Sequence, residues 1–81
     1  MTDGVLAEIQ RERERQDAKW GGPDHDDQHT MYEWFDILNE RMATIYDGRN
    51  DQRRALVEMA AISVAVIECI DRREMKAQKD T

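Results

Sequence analysis

Residues 55–70, ALVEMAAISVAVIECI, decide the fold of this chain of 81 residues. Apolar residues recur in this stretch at intervals of three and four, which predicts an amphipathic helix over about residues 51–76. The stretch is apolar on more sides than the rest of one chain could cover, so it predicts self-association along this helix. One face consists of Leu56, Met59, Ser63, Val66 and Ile70, and another consists of Ala55, Ile62 and Cys69.

A first helix is predicted over about residues 3–19, where Thr2 or Asp3 can cap its free amides. Beyond Ile9 this helix is charged on nearly every side, in the pattern RERERQDAK. Charges of alternating sign are typical of a solvated helix surface with weak ion pairs. The alternative is that some of the arginines bind an anionic ligand, since the planar guanidinium suits that task.

A second helix is predicted over residues 31–46, because TMYE at residues 30–33 forms a capping box that satisfies two backbone amides. Gly48 can end this helix in the left-handed conformation. Asn50 or Asp51 can then cap the next helix. Together these signals predict an all-α fold, namely a three-helix antiparallel chain that assembles into a multi-chain helical bundle.

The composition limits the organisation and the partners. The length fits a single helical domain over residues 1–81, with a polar tail that frays after about residue 76. A net charge of −6 argues against binding to a nucleic-acid duplex. The single Cys, the polar start of the chain and the short apolar run at residues 59–67 predict a cytoplasmic protein without a membrane segment.

The connector at residues 19–34, KWGGPDHDDQHTMYEW, contains more functional groups than a chain reversal requires. The Gly-Gly-Pro triplet already supplies a turn. Three interpretations are open. In the first, the connector is a simple turn whose His side chains are exposed. In the second, it is a metal site formed by His25, Asp26 and His29. In the third interpretation it forms a ligand pocket, in which two Trp rings stack on a base and nearby polar groups form the rim.

Three segments resemble a group of small phage and prophage proteins, namely ERERQDAKWGGPDHDDQHT, WFDIL and ALVEMAAISVAVIECIDRR. That group shares an E-R-x-R-Q-x-x-K/R-W-G opening, an acidic and His-bearing loop, a Trp-containing second helix and an Ala-rich final helix. The resemblance covers about residues 8–73. It implies a phage-type protein of the host cell cytosol.

The second and third predicted helices are more distantly similar to MazG-like nucleotide pyrophosphohydrolases. Those enzymes are all-α oligomers that hold magnesium over a nucleoside triphosphate with E-E-x-x-E and E-x-x-D motifs. When the first motif is carried over residue by residue, Glu40 matches its first acid, but Arg41 and Thr44 replace the other two. In the second motif Ala55 replaces the Glu, and Glu58 stands at the Asp position. The degenerate motif disfavours a metal-dependent enzyme, because a cationic Arg opposes Mg²⁺.

Two functional hypotheses follow. The first is a non-catalytic protein that holds a nucleotide-like anionic small molecule between protomers, without a cofactor. In its most specific form it would be a sponge for a cyclic nucleotide signal used in host defence. The second is a reduced pyrophosphohydrolase with magnesium on Glu40 and Glu58. The candidate ligand contacts are Lys19, Trp20, His25, Asp26, Trp34 and Arg41, where Lys19 and Arg41 supply charge, the two Trp supply stacking, and His25 and Asp26 supply a polar rim.

Overall fold

The computed structural model describes residues 1–48 and 51–79, which form four α-helices and the turns between them. These residues contain no strand, so the all-α prediction is confirmed for the described part of the chain. None of these helices is both long enough and apolar enough to span a membrane. The helices are α1 (Thr2–Trp20), α2 (Gly22–Asp26), α3 (Met31–Tyr46) and α4 (Gln52–Lys79).

The short helix α2 was not predicted and replaces the open connector that the sequence indicated. Gly21 ends α1 with a φ of 108°, and its N–H donates to the carbonyl of Asp17. A residue with a side chain would be strained at that φ, which explains the glycine. Pro23 then occupies the first turn of α2, where a missing N–H costs nothing. The reversal therefore proceeds through a second helix rather than through a loop.

The capping signals predicted for α3 and α4 are present. The prediction that Thr2 or Asp3 caps α1 was wrong, because α1 already includes both residues and its N-cap, Met1, makes no side-chain hydrogen bond. The side chain of Thr30 accepts a hydrogen bond from the backbone N–H of Glu33 at 3.1 Å, and the Glu33 carboxylate accepts one from the N–H of Thr30 at 3.1 Å. Asp51 caps α4 by accepting a hydrogen bond from the N–H of Arg53 at 2.9 Å. The alternative cap, Asn50, lies outside the described residues. At its other end α4 continues to Lys79, beyond the boundary near residue 76 that the sequence predicted.

The apolar core lies between α3 and α4. Trp34 contributes the largest side chain and packs against Ile62, Ala65 and Val66 of α4. Leu56, which the sequence placed on one of the apolar faces of this helix, is 56% exposed within the single chain. The residues of α4 that are buried are Ala55, Val57, Ala61, Ile62, Ala65, Val66 and Cys69.

Helix α1 is attached to α4 largely through ion pairs and hydrogen bonds. Glu12 is only 3% exposed, which contradicts the interpretation of this charged helix as solvated on every side. Its carboxylate accepts hydrogen bonds from Arg54 of α4 at 2.7 Å, from Arg15 at 2.7 and 2.9 Å, and from Gln16 at 3.0 Å. A buried carboxylate that accepts four such hydrogen bonds from three partners retains its charge at low cost. Arg53 adds a second, exposed pair with Glu8.

Helices α1 and α3 both contact α4, but they stand apart from each other. No Cα atom of α1 lies within 8 Å of a Cα atom of α3 among the described residues. Contacts between α1 and α4 follow the same order along both helices, from Glu8 with Arg53 to Gln16 with the carbonyl of Glu58. Contacts between α3 and α4 follow the opposite order. This arrangement leaves a space between α1 and α3 above one face of α4.

The burial of Glu12 predicts a pH-dependent contribution to stability. Its hydrogen bonds with Arg15 hold the pKa of the carboxyl below its ordinary value of 4.5. The stabilisation is therefore fully present above pH 4.5 and is lost as the pH falls through the folded-state pKa. We expect Glu12→Gln to lower the free energy of unfolding at pH 7 by about 1–2 kcal/mol, measured by urea denaturation. The difference from the wild-type protein should shrink as the pH falls below that ordinary value.

The matched control is Glu14→Gln on the same helix, because Glu14 makes only a long, exposed hydrogen bond with Gln10. We expect this control to change the free energy of unfolding by less than about 0.5 kcal/mol. Equal effects of the two variants at pH 7 would contradict the structural role of Glu12.

Candidate functional site

A cavity of about 370 Å³ occupies the space between α1 and α3, above α4. Pockets for small ligands typically measure about 300–1,000 Å³, so the cavity can admit a small molecule. Its apolar floor includes Ile37 of α3 and Ile62 and Ala65 of α4. The residues named above as candidate ligand or metal contacts line it: Lys19, Trp20, His25, Asp26, His29, Trp34, Glu40, Arg41 and Glu58.

The cavity lies within one chain, whereas the sequence predicted a pocket between protomers. The connector and α2 form one of its walls, and α4 holds this wall in place. Arg72 makes a bidentate ion pair with Asp27, with N–O distances of 2.7 and 3.0 Å. Arg73 donates a hydrogen bond to the backbone carbonyl of His29. The wall is therefore fixed to α4 at two points rather than free to move as a flap.

Cys69 lies behind this wall and is fully buried. Its thiol points toward the backbone carbonyl of Asp26 at 3.9 Å. Burial raises the pKa of the thiol, which keeps it protonated and unreactive at neutral pH. The prediction that Cys69 is a small core residue is confirmed by its burial.

Four aromatic rings form a continuous row along the cavity. Trp20 and His25 are nearly parallel, with ring centroids 6.3 Å apart and planes inclined by 20°. His25 meets His29 edge to face at 4.9 Å. His29 in turn stacks on Trp34 at 4.5 Å and 28°. The two His of the connector thus link the two Trp, one from the end of α1 and one from α3.

The two Trp differ in their access to a ligand. Trp34 is 4% exposed, its ring is stacked by His29, and its indole N–H is buried. It therefore supports the cavity rather than offering a stacking face, which corrects the role that the sequence assigned to it. Trp20 is 52% exposed, and the Lys19 ammonium lies 4.9 Å from its ring centroid. Trp20 is thus the aromatic ring on which a planar guest can stack.

The hydrogen bond of His29 fixes its tautomer. Its Nδ1 lies 3.2 Å from the backbone carbonyl oxygen of His25. A carbonyl oxygen can only accept, so Nδ1 must carry the proton. In the neutral ring, Nε2 is then an acceptor. The sequence considered His29 only as a metal ligand and missed its place in the aromatic row, because four-residue spacing in a connector does not specify ring geometry.

Asp26 is 7% exposed and lies where α1, α2 and α4 meet. Burial raises the pKa of its carboxyl, whereas the positive charge of Arg13 lowers it. The Arg13 guanidinium lies 3.8 Å from Asp26 and 3.0 Å from Asp17. Asp26 is therefore a nearly buried group paired with Arg13. It is less exposed than its predicted role in the polar rim of the pocket implies.

Arg41 and Glu58 face each other across the cavity end. The Nε atom of Arg41 lies 3.2 Å from Oε2 of Glu58 but does not direct its N–H at the carboxylate, so the contact is ionic. Arg54 donates a hydrogen bond to Oε1 of Glu58, also at 3.2 Å. Both carboxylate oxygens of Glu58 thus face guanidinium groups.

The residues present do not fit a magnesium ion. Mg²⁺ requires near-octahedral oxygen ligation, and Glu58 would first have to leave both arginines. Among residues 1–48 and 51–79, no group of three or more His, Cys, Asp or Glu side chains is arranged to hold a metal ion. The connector His are engaged with each other and with a backbone carbonyl, which does not support the metal interpretation of His25, Asp26 and His29.

Comparisons with protein-family models, with curated proteins and with solved structures find no match to this chain. The resemblances to phage proteins and to MazG-like enzymes therefore stay predictions from the sequence. The case for a function rests on the geometry of the cavity.

The tautomer of His29 is directly testable. We expect the neutral imidazole of His29 to be in the Nδ1–H form, whereas a neutral His free in solution favours Nε2–H. Two-bond nitrogen–proton NMR correlations of the folded protein at a pH above 8 distinguish the two forms. The variant His25→Asn assigns the signals and leaves the backbone carbonyl that His29 bonds. An Nε2–H tautomer for His29 would contradict the hydrogen bond described above.

Proposed function

We propose that this protein is a non-catalytic binding protein that holds a nucleotide-like small molecule in the cavity between α1 and α3. The observation that carries the proposal is the convergence of the six candidate contacts on one cavity of about 370 Å³ within a single chain. An apolar floor, a row of aromatic rings and a few polar groups are the usual components of a small-molecule site.

Stacking on Trp20 supplies the main apolar contact in this proposal. Its ring is half exposed at the cavity mouth and is held beside His25. Stacking of a base on an aromatic side chain is worth about 1–3 kcal/mol and tolerates any base. Lys19 above the same ring adds a positive charge for an anionic group next to the stacked base.

Polar recognition comes from the connector and from α3. The acceptor nitrogen of neutral His29 complements a donor such as an exocyclic amine. Arg41 offers guanidinium donors at the opposite end, where it already faces Glu58. These groups orient a heterocycle, but none of them forms a nucleophile and base pair of the kind that covalent catalysis requires.

The most specific form of the proposal is a sponge that sequesters a nucleotide signal of host defence. It is supported only by analogy with the small phage proteins that the ERERQDAKWGG segment resembles. Sequestration needs tight binding without turnover, which a cavity without a catalytic pair can provide.

The alternative is a MazG-like, magnesium-dependent nucleoside triphosphate pyrophosphohydrolase. One observation favours it, namely that Glu40 and Glu58 line the same cavity as the proposed ligand contacts. The pairing of Glu58 with Arg41 and Arg54 opposes it, since metal binding would leave two guanidinium groups without their carboxylate. Binding without hydrolysis is therefore the better-supported function.

We also propose that copies of the chain associate. Leu56 and Ile67 are 56% and 57% exposed, and their spacing along α4 places them on one stripe with Ala60. Val5 of α1 is 43% exposed and lies with Leu56 and Ala60 around a shallow apolar groove. Contiguous exposed apolar residues of this kind often mark an interface between proteins.

Calorimetric titration against a panel of linear and cyclic nucleotides tests the binding function. We expect at least one of them to bind, and Trp20→Ala to weaken its binding roughly five- to hundredfold through loss of stacking. The matched control is Tyr32→Ala, because Tyr32 is 81% exposed on α3 and does not line the cavity. No heat with any compound would contradict the proposal. Magnesium-dependent pyrophosphate release that Glu58→Gln abolishes would establish the hydrolase instead.

Sedimentation velocity at micromolar concentration tests self-association. We expect the wild-type chain to sediment as an oligomer, and Ile67→Glu to shift it toward the monomer, since a buried charge opposes the interface. Ala77→Glu adds the same charge to an exposed position farther along α4 and should leave the oligomer intact. A well-folded monomer of the wild-type chain would contradict this part of the proposal.

A further inference from the structure

The charges that line the cavity are balanced. Four side chains are cationic and four are carboxylates, and they come from three different helices and from the connector. The cavity therefore carries no excess of positive charge. The residues nominated as ligand contacts nevertheless suit a nucleotide-like guest. The cations are Arg13, Arg15, Lys19 and Arg41, and the carboxylates are Asp17, Asp26, Glu40 and Glu58.

Each arginine of the cavity is already paired. Arg13 lies 3.0 Å from Asp17, Arg15 lies 2.7 Å from Glu12, and Arg41 lies 3.2 Å from Glu58. An anionic guest that recruits one of these guanidinium groups must compete with the carboxylate that holds it. Competition of this kind reduces the net attraction for each additional negative charge.

Lys19 differs from the three arginines. Within residues 1–48 and 51–79, its ammonium has no carboxylate oxygen within 4.0 Å, and its close neighbour is the ring of Trp20 at 4.9 Å. Lys19 can therefore meet an anion without giving up an ion pair. A cation that forms no ion pair with the described residues thus lies over the ring of the half-exposed Trp20.

We propose that the cavity is selective for a planar base that carries a single phosphate, a nucleoside monophosphate, over the corresponding di- and triphosphates. This inference rests on the function proposed above and specifies its ligand class. The base stacks on Trp20 and the phosphate meets Lys19. A triphosphate brings further negative charge into a cavity that four carboxylates also line, and the paired arginines offer no free positive charge.

The size of the cavity supports the same conclusion. A volume of about 370 Å³ lies near the lower end of the range for ligand pockets. It accommodates a base, a sugar and one phosphate more readily than a linked pair of nucleotides. By its size the cavity therefore favours the smaller nucleotides, which are also the less charged ones.

Calorimetric titration without divalent metal, in the presence of a chelator, tests this selectivity. The probes are the nucleoside, the 5′-monophosphate and the 5′-triphosphate of adenine, guanine, cytosine and uracil. For the base that binds best, we expect the monophosphate to bind about tenfold tighter than either the nucleoside or the triphosphate. Lys19→Gln should abolish the difference in affinity between the monophosphate and the nucleoside.

Two further variants complete the test. Lys76→Gln removes the same charge from the exposed end of α4, outside the cavity, and should keep the preference for the monophosphate. Glu40→Gln should bring the affinity for the triphosphate closer to that for the monophosphate. Tighter binding of the triphosphate than of the monophosphate, or a monophosphate preference that survives Lys19→Gln, would overturn the inference and leave the binding function standing. Binding of none of these probes would also overturn the inference, and the binding function would be overturned as well if the cyclic nucleotides of the first panel fail to bind.

Discussion

The position of α1 depends on one buried carboxylate. Glu12 is almost completely shielded from solvent and is held by Arg54 of α4 together with two residues of its own helix. Helix α3 is attached to the same α4 by different means, through the apolar contacts of Trp34 with Ile62, Ala65 and Val66. Both helices are attached to α4, and among the described residues no Cα atom of α1 lies within 8 Å of a Cα atom of α3. The cavity is the direct result of this separation.

Much of the fold could be predicted from local signals. The capping box at Thr30 and Glu33, and the three-four spacing of residues 55–70, identify α3 and α4 because backbone capping and helical periodicity depend on near neighbours in sequence. The helix α2 escaped prediction because five residues give no periodic pattern. The burial of Glu12 was not predicted either, since it depends on where α1 crosses α4, and no single helix encodes that crossing.

The candidate site could likewise be predicted only in part from the sequence. Composition alone drew attention to the connector, because its His, Trp and acidic residues exceed what a turn needs. The structure brings these residues to one cavity together with Glu40, Arg41 and Glu58. Their individual roles could not be predicted from spacing. Trp34 is a core residue and Trp20 is exposed, although both are Trp at the ends of the same segment. The role of His29 depends on a bond from its ring to a backbone carbonyl, which residue types do not reveal.

Arg72 and Arg73 attach the connector to α4, and this attachment limits insertions and deletions in α4. These residues lie on α4 well beyond Ile62 and Ala65, which form part of the cavity floor. Each residue advances a helix by about 1.5 Å and 100°. Insertion or deletion of one residue between Ala65 and Arg72 would turn both arginines away from the connector while leaving every cavity residue unchanged in identity. The number of residues in the last helix between these points is thus constrained by the attachment, whereas the identity of most of these residues is not.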